Sequence, residues 1–206
     1  APGLIEAAVD SYRVPASATH RQLRQEDHLE QRDQEHLGLI CLLADLGHRL
    51  GFRVLIARAE QKRKIAQGTV GGLLDVQERY ANPQTVLGEG DLASEIDVVW
   101  YKPDQTMLLF EVSWTARLHQ PLVEHRVAAG NVRRYLVIPE ERVDLIRFKL
   151  ERSLLWQQIV AEDGWDFIKY NHLRQFAGGH PEIEDFPGIV GLKAPVEQYG
   201  TQLSLF

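Results

Sequence analysis

The sequence predicts an α/β domain, a mixed central sheet flanked by helices. Three observations carry that prediction. The stretch 95–116 reads E-I-D-V-V-W-Y-K-P-D-Q-T-M-L-L-F-E-V-S-W-T-A. It holds two apolar β-type runs, 96–101 and 107–112, around a short turn with Pro103 and Asp104, which is a hairpin signal. Amphipathic helical patterns stand before and after it. The resulting order is helix, strand, acidic strand, acidic strand, helix, strand and terminal helix, which suits one mixed sheet with helices on both sides.

The totals agree with a single domain plus appendages. The chain has 206 residues, 44% hydrophobic and 25% charged, ordinary globular values. A single cysteine, Cys41, lies in the apolar run 37–46. A lone buried thiol argues against a disulfide framework and against a zinc site built on cysteine pairs, and it suits a reducing cytoplasm. No run approaches the roughly 20 apolar residues of a membrane span, and the first residues lack the basic flank and apolar core of a signal peptide. The net charge of −6 is no footprint for strong non-specific DNA binding, so any nucleic-acid contact is expected to be local.

Taken in order, residues 1–19 mix small, apolar and polar types around Pro2 and Pro15 and read as an arm, or as the tail of a preceding domain. Residues 20–36 are nearly all polar and rich in Glu, Gln and Arg, which favours a solvated helix. His28 and His36 stand beside acids there; alternating charge on an exposed face is the commoner cause of such a pattern than a metal site. Leu39, Leu42, Leu43, Leu46 and Leu50 continue the helix with one apolar face, and Gly51 ends it. A strand follows over 52–57.

Residues 60–78 carry the basic cluster Gln61, Lys62, Arg63 and Lys64, then Gly68, Gly71 and Gly72. The glycine spacing is not that of a phosphate-binding loop. Residues 83–93 are turn-rich. After the hairpin, 117–131 suits an amphipathic helix with Pro121 in its first turn, and 135–138 a strand. Residues 140–158 read as one helix with Val143, Ile146, Leu150, Leu154 and Leu155 on one side. Residues 165–176 form a short aromatic element, with Trp165, Phe167, Tyr170 and Phe176 either in the core or on a base-stacking surface. Residues 178–195 are rich in Gly and Pro and read as a loop or linker. The expected organisation is thus 1–34 as arm and polar helix, 35–177 as the domain, and 178–206 as linker and terminal peptide.

Chemistry concentrates in the hairpin. Asp97 and Glu111 are carboxylates in apolar runs, where ionised groups are rare without compensation. Two readings stay open. A divalent cation is held between adjacent strands, or both acids face solvent or pair with arginine.

An Asp on one strand and Glu-x-Lys on the next form the core of the restriction-endonuclease-like (PD-D/E-X-K) nuclease superfamily, and this hairpin resembles it, with Asp97 and Glu111 in the acidic places. The second strand also resembles an uncharacterised branch that reads F-E-V-E-H-T; here the residues are Phe110, Glu111, Val112, Ser113, Trp114 and Thr115. The place of the lysine is Ser113, which cannot supply the cation that positions and activates the attacking water. The resemblance covers roughly residues 35–155. It implies a nuclease-type domain in DNA repair, replication or restriction, with Mg²⁺ or Mn²⁺ held by Asp97, Glu111 and the Val112 carbonyl. Glu35 on the first helix, or Glu95, would assist. It also implies a helix facing the nucleic acid, carrying Arg117, His119 and Arg126; Lys62 and Lys64, from the basic cluster, are read beside it as nucleic-acid contacts or as a source of the missing cation. A displaced cation from Arg117, Arg126 or Lys64 would stand in for the lysine. The alternative, which Ser113 and the negative net charge favour, is an inactive module of the same fold that binds DNA or a protein partner.

The last residues, T-Q-L-S-L-F, resemble the peptide by which bacterial polymerases and repair proteins dock on the β sliding clamp. Leu203, Leu205 and Phe206 suit apolar pockets, and Gln202 can hydrogen-bond backbone at one end of a groove. The other reading has these apolar residues fold back onto the chain's own domain.

Overall fold

Helix α1 (Ala16–Arg49) is 34 residues long, joining the polar and apolar stretches into one helix. The structure, a computed structural model, describes residues 16–81, 96–103, 106–114, 132–161 and 164–192. The chain divides into two units, Ala1–Glu35 and His36–Phe206. In the first, Asp27–Glu30 and most of 31–35 are exposed, as their polarity predicts, with Leu29 at 62% exposure.

In the second unit the character of α1 changes. Leu39, Ile40, Leu43, Ala44 and Leu46 are buried, while Leu42, Leu50 and Cys41 are half-buried. Gly51 follows with φ of 76°, the left-handed turn that closes a helix and that glycine adopts without strain. Gly47 serves another purpose. A Cβ there would stand 2.6 Å from Trp100 Nε1. The bare backbone lets that indole reach the Leu43 carbonyl at 2.8 Å.

The sheet has five strands: β1 (Arg53–Ile56), β4 (Val98–Tyr101), β5 (Met107–Val112), β6 (Val132–Ile138) and β7 (Trp165–Lys169), side by side in that order. A small hairpin, β2 (Lys64–Ile65) and β3 (Gly68–Thr69), stands apart. β4 runs antiparallel to both of its neighbours, β1 and β5; β5, β6 and β7 run parallel. All six residues of β5 are buried, because both sheet faces are covered. On one face α1, helix α6 (Tyr170–Gly178) and the 3₁₀ turn Ile183–Ile189 pack around Trp100, Phe110, Tyr135 and Phe186. On the other, α4 (Val143–Arg152) and α5 (Leu154–Ala161) bring Ile146 and Trp156 onto Leu109, Leu136 and Phe167. This is the mixed, helix-flanked sheet that the sequence predicts, and it is compatible with a restriction-endonuclease-like core.

Two short helices, α2 (Arg58–Gln61) and α3 (Val76–Arg79), belong to the segment after β1. α3 opens with a capping box of Asp75 and Glu78. Glu78 is 2% exposed and also accepts the Val54 amide at 2.7 Å and meets His48 Nε2 at 2.9 Å.

Four local expectations are corrected. The helix expected over 140–158 breaks at Ser153, which is extended. A straight continuation would keep Leu154 on the buried stripe with Ile146 and Leu150. The break instead buries the larger Trp156, stacked on Phe167 at 6.4 Å, and leaves Leu154 82% and Leu155 51% exposed. The aromatic element over 165–176 is a strand followed by a helix. Its Trp165, Phe167 and Tyr170 are core and not a stacking surface. The expected loop over 178–195 contains the 3₁₀ turn that inserts Phe186 among four other rings. Cys41 is half-buried and not fully so. The helix expected over 117–131 and the peptide 202–206 lie outside the described residues.

Candidate active site

β4 begins at Val98, so Asp97 precedes it by one residue. The Asp97 carbonyl accepts the Ala57 amide at 3.0 Å, and this bond extends the β1–β4 pairing to the end of the sheet. Its carboxylate turns toward β5, where Oδ2 accepts the Val112 amide at 2.8 Å. Register explains the proximity. Val98 pairs with Phe110, so one step further Asp97 comes opposite Glu111. Asp97, Glu111 and Ser113 are 8%, 9% and 8% exposed. The structure therefore brings together four of the residues singled out in the sequence: Asp97, Glu111, Val112 and Ser113.

From α1, His36 Nε2 stands 3.4 Å from Asp97 Oδ2. Sequence reasoning chose Glu35 as the helix residue for this site. Glu35 is half-buried and ends the first unit. The signal for His36 was present: 36, 40, 43 and 47 fall on one helical stripe, which faces the sheet. Burial draws the His36 pKa down, while the hydrogen bond and charge of Asp97, with the charge of Glu60, push it up and prevail. The ring is held above its ordinary value of 6.5. Arg63 opposes this weakly; it is ion-paired to Glu60 at 3.0 Å. Within the basic cluster of 61–64, then, the charge that reaches His36 is that of Arg63. Lys62 and Lys64, the residues chosen from the sequence, are exposed. Glu95, Arg117, His119 and Arg126 lie outside the described residues.

A third group of charges lies along the C-terminal ends of the parallel strands, the side where open α/β sheets bind ligands. Ser113 donates its amide to the Val137 carbonyl at 2.9 Å, which places it beside Ile138, and Ile138 pairs with Lys169. Alternation puts Glu111 on the face of Leu109, Leu136 and Phe167, and carries Ser113, Ile138 and Lys169 to that same face. Lys169 is 7% exposed. It is a buried charge that single-sequence reasoning missed, because Lys169 sits in a segment taken for one aromatic element. His172, 9% exposed, has its pKa lowered by burial first and by Lys169 second, against opposing contributions from Ile189 and Glu140. Glu140 accepts the Asn171 amide at 2.7 Å, and the Arg142 guanidinium lies 5.9 Å over the Trp114 ring.

The arrangement offers two buried carboxylates on neighbouring strands, a histidine on one of them, and a buried ammonium on the same sheet face. The donor oxygens suit a hard divalent cation. Among the described residues no group of three or more His, Cys, Asp or Glu side chains is arranged to hold a metal ion. No helix among the described residues is long and apolar enough to cross a membrane.

No curated protein and no solved structure matches the chain. Residues 14–178 match the family model of the type II restriction enzyme NmeDI C-terminal domain. The match spans well over half of the sequence, and the chain belongs to that family.

Proposed function

We propose that this chain is a metal-dependent nuclease domain that hydrolyses phosphodiester bonds in DNA, in restriction or a related DNA-processing reaction in the cytoplasm. The observation that carries the reading is the pairing of Asp97 with Glu111. Two buried acids meet across an antiparallel pair, and one of them is fixed by the Val112 amide. A divalent cation between the two carboxylates would balance their like charges. Asp97, Glu111 and the Val112 carbonyl would hold Mg²⁺ or Mn²⁺. When bound, the cation supplies Lewis-acid polarisation of the scissile phosphate and acidifies the attacking water.

The chain's own residues do the rest. His36 positions the Asp97 carboxylate through Oδ2. Ser113 offers a hydroxyl for orientation but no charge. Lys169, in the same row of the sheet, supplies the cation that steadies negative charge developing on the phosphate. The test is a divalent-metal titration followed by thermal unfolding, on wild type and on Asp97→Asn/Glu111→Gln. Mass action gives about 2.7 kcal/mol of stabilisation at a hundred-fold excess over Kd. The wild-type gain should vanish in the double variant, together with cleavage of duplex DNA. No gain at millimolar metal sinks the enzyme reading.

Ser113 favours a second reading, a fold that binds DNA or a protein partner without cutting. The tail Gln202–Phe206 extends either reading. We infer a docking peptide for the β sliding clamp from Gln202, Leu203, Leu205 and Phe206. Removal of these last five residues should abolish binding to purified clamp in a pull-down; binding that persists without them refutes the assignment.

A further inference from the structure

A cleft of about 790 Å³ opens beside the segment that follows β1. It is lined by Arg58, Gln61, Lys62, Thr69, Gly71, Arg79, Tyr80 and Ala81. Its volume falls within the roughly 300–1,000 Å³ of ligand sites, but its chemistry is not that of an apolar small-molecule pocket. Among its described lining residues three are cationic and none is acidic, in a chain whose acids outnumber its bases by six. Local charge reversal of this kind marks an anion site.

The cations are held in different ways. Arg79 is pinned, with Nε donating to the Gly71 carbonyl at 3.1 Å and Nη2 to the Leu74 carbonyl at 3.3 Å. Arg58 and Lys62 are exposed, and among the described residues no side chain pairs with either charge. Tyr80 is 81% exposed, an aromatic ring left in water at the edge of a cationic cleft. Cations that track phosphates, together with an aromatic face on which a base can stack, are the two components of a surface for a nucleic-acid strand.

The cleft also adjoins the carboxylates through the backbone. Arg58 follows Ala57, whose amide is bonded to the Asp97 carbonyl. Gln61, a lining residue, holds the Ile56 carbonyl with Nε2 at 2.7 Å. One wall of the cleft therefore grows directly out of the strand pair that ends at Asp97.

We propose that this cleft binds the sugar–phosphate backbone of a DNA strand leaving the carboxylate site, with Arg58, Lys62 and Arg79 on phosphates and Tyr80 against a base. The choice of DNA rests on the nuclease reading of Asp97 and Glu111; the cleft itself does not. The experiment uses the full chain in chelator, so that no cleavage occurs, and measures binding of a labelled duplex and a labelled single strand over a series of salt concentrations. Arg58→Ala/Lys62→Ala leaves the Arg79 bonds and the buried core untouched. It should weaken both probes and flatten the dependence of log K on log salt by about one unit for each lost phosphate contact. Tyr80→Ala should weaken the single strand several-fold and leave the salt slope unchanged. Wild-type affinity and slope in the double variant, or no DNA binding by wild type at low salt, overturns the proposal. Metal-dependent cleavage, lost in Asp97→Asn, is scored separately. Retained cleavage with an unaltered slope therefore rejects the cleft alone.

Discussion

Two histidines respond to pH in opposite senses because their neighbours differ. His36 faces Asp97 and Glu60 and is held above 6.5; His172 faces Lys169 in a buried place and is held below it. A group whose folded pKa is raised contributes stability that is complete below its unfolded value, about 6.5, and is lost as pH rises through the folded value. Wild type should therefore exceed His36→Asn in stability on the acid side, and the gap should close as pH rises. His172 carries the opposite sign. Its contribution is present above about 6.5 and falls away as pH drops through its lowered value. It is common to both proteins and so cancels in the comparison. Chemical denaturation over about pH 5 to 8 measures the gap; a constant difference across that range shows that the His36–Asp97 contact is not ionic. At this scale the candidate site was half legible. Asp97 and Glu111 stood out as acids in apolar runs. His36 stood beside acids but in a polar run that reads as an exposed face, and Lys169 did not stand out, since a lone lysine looks the same in a sequence whether it is solvated or buried.

The elements tell the same story at their joints. Periodicity identified α1, β1, β4 and β5, because each has a clean apolar face or an unbroken apolar run. It failed at Ser153, where a helical stripe shifts phase without a glycine or proline to mark it, and at Lys169, where a strand passes into a helix with no intervening turn. Burial of an indole decides the first case. Trp156→Ala should cost about 3–5 kcal/mol, while Leu154→Glu, on a side chain 82% exposed, should stay within about 0.5 kcal/mol of wild type. Urea denaturation of the two variants compares them directly. A large loss at Leu154 with none at Trp156 indicates that the helix continues straight through Ser153.

For the molecule as a whole, the order of elements and the paired acids carried the fold class, since an acidic hairpin followed by a crossover to a parallel strand leaves few topologies. β7 and the packed 3₁₀ turn were illegible because their apolar residues are interrupted by charged ones or by Pro and Gly, and their burial depends on partners far away in sequence. β1 lies at the rim of the sheet, with its outward Val54 amide taken by Glu78 and its Ile56 carbonyl by Gln61. These side chains occupy the hydrogen-bonding positions that another polypeptide would need in order to add itself as a sixth strand. The capping of α3 thus doubles as a guard against aggregation, and Gln61, which lines the cationic cleft, helps Glu78 keep that rim closed to other chains.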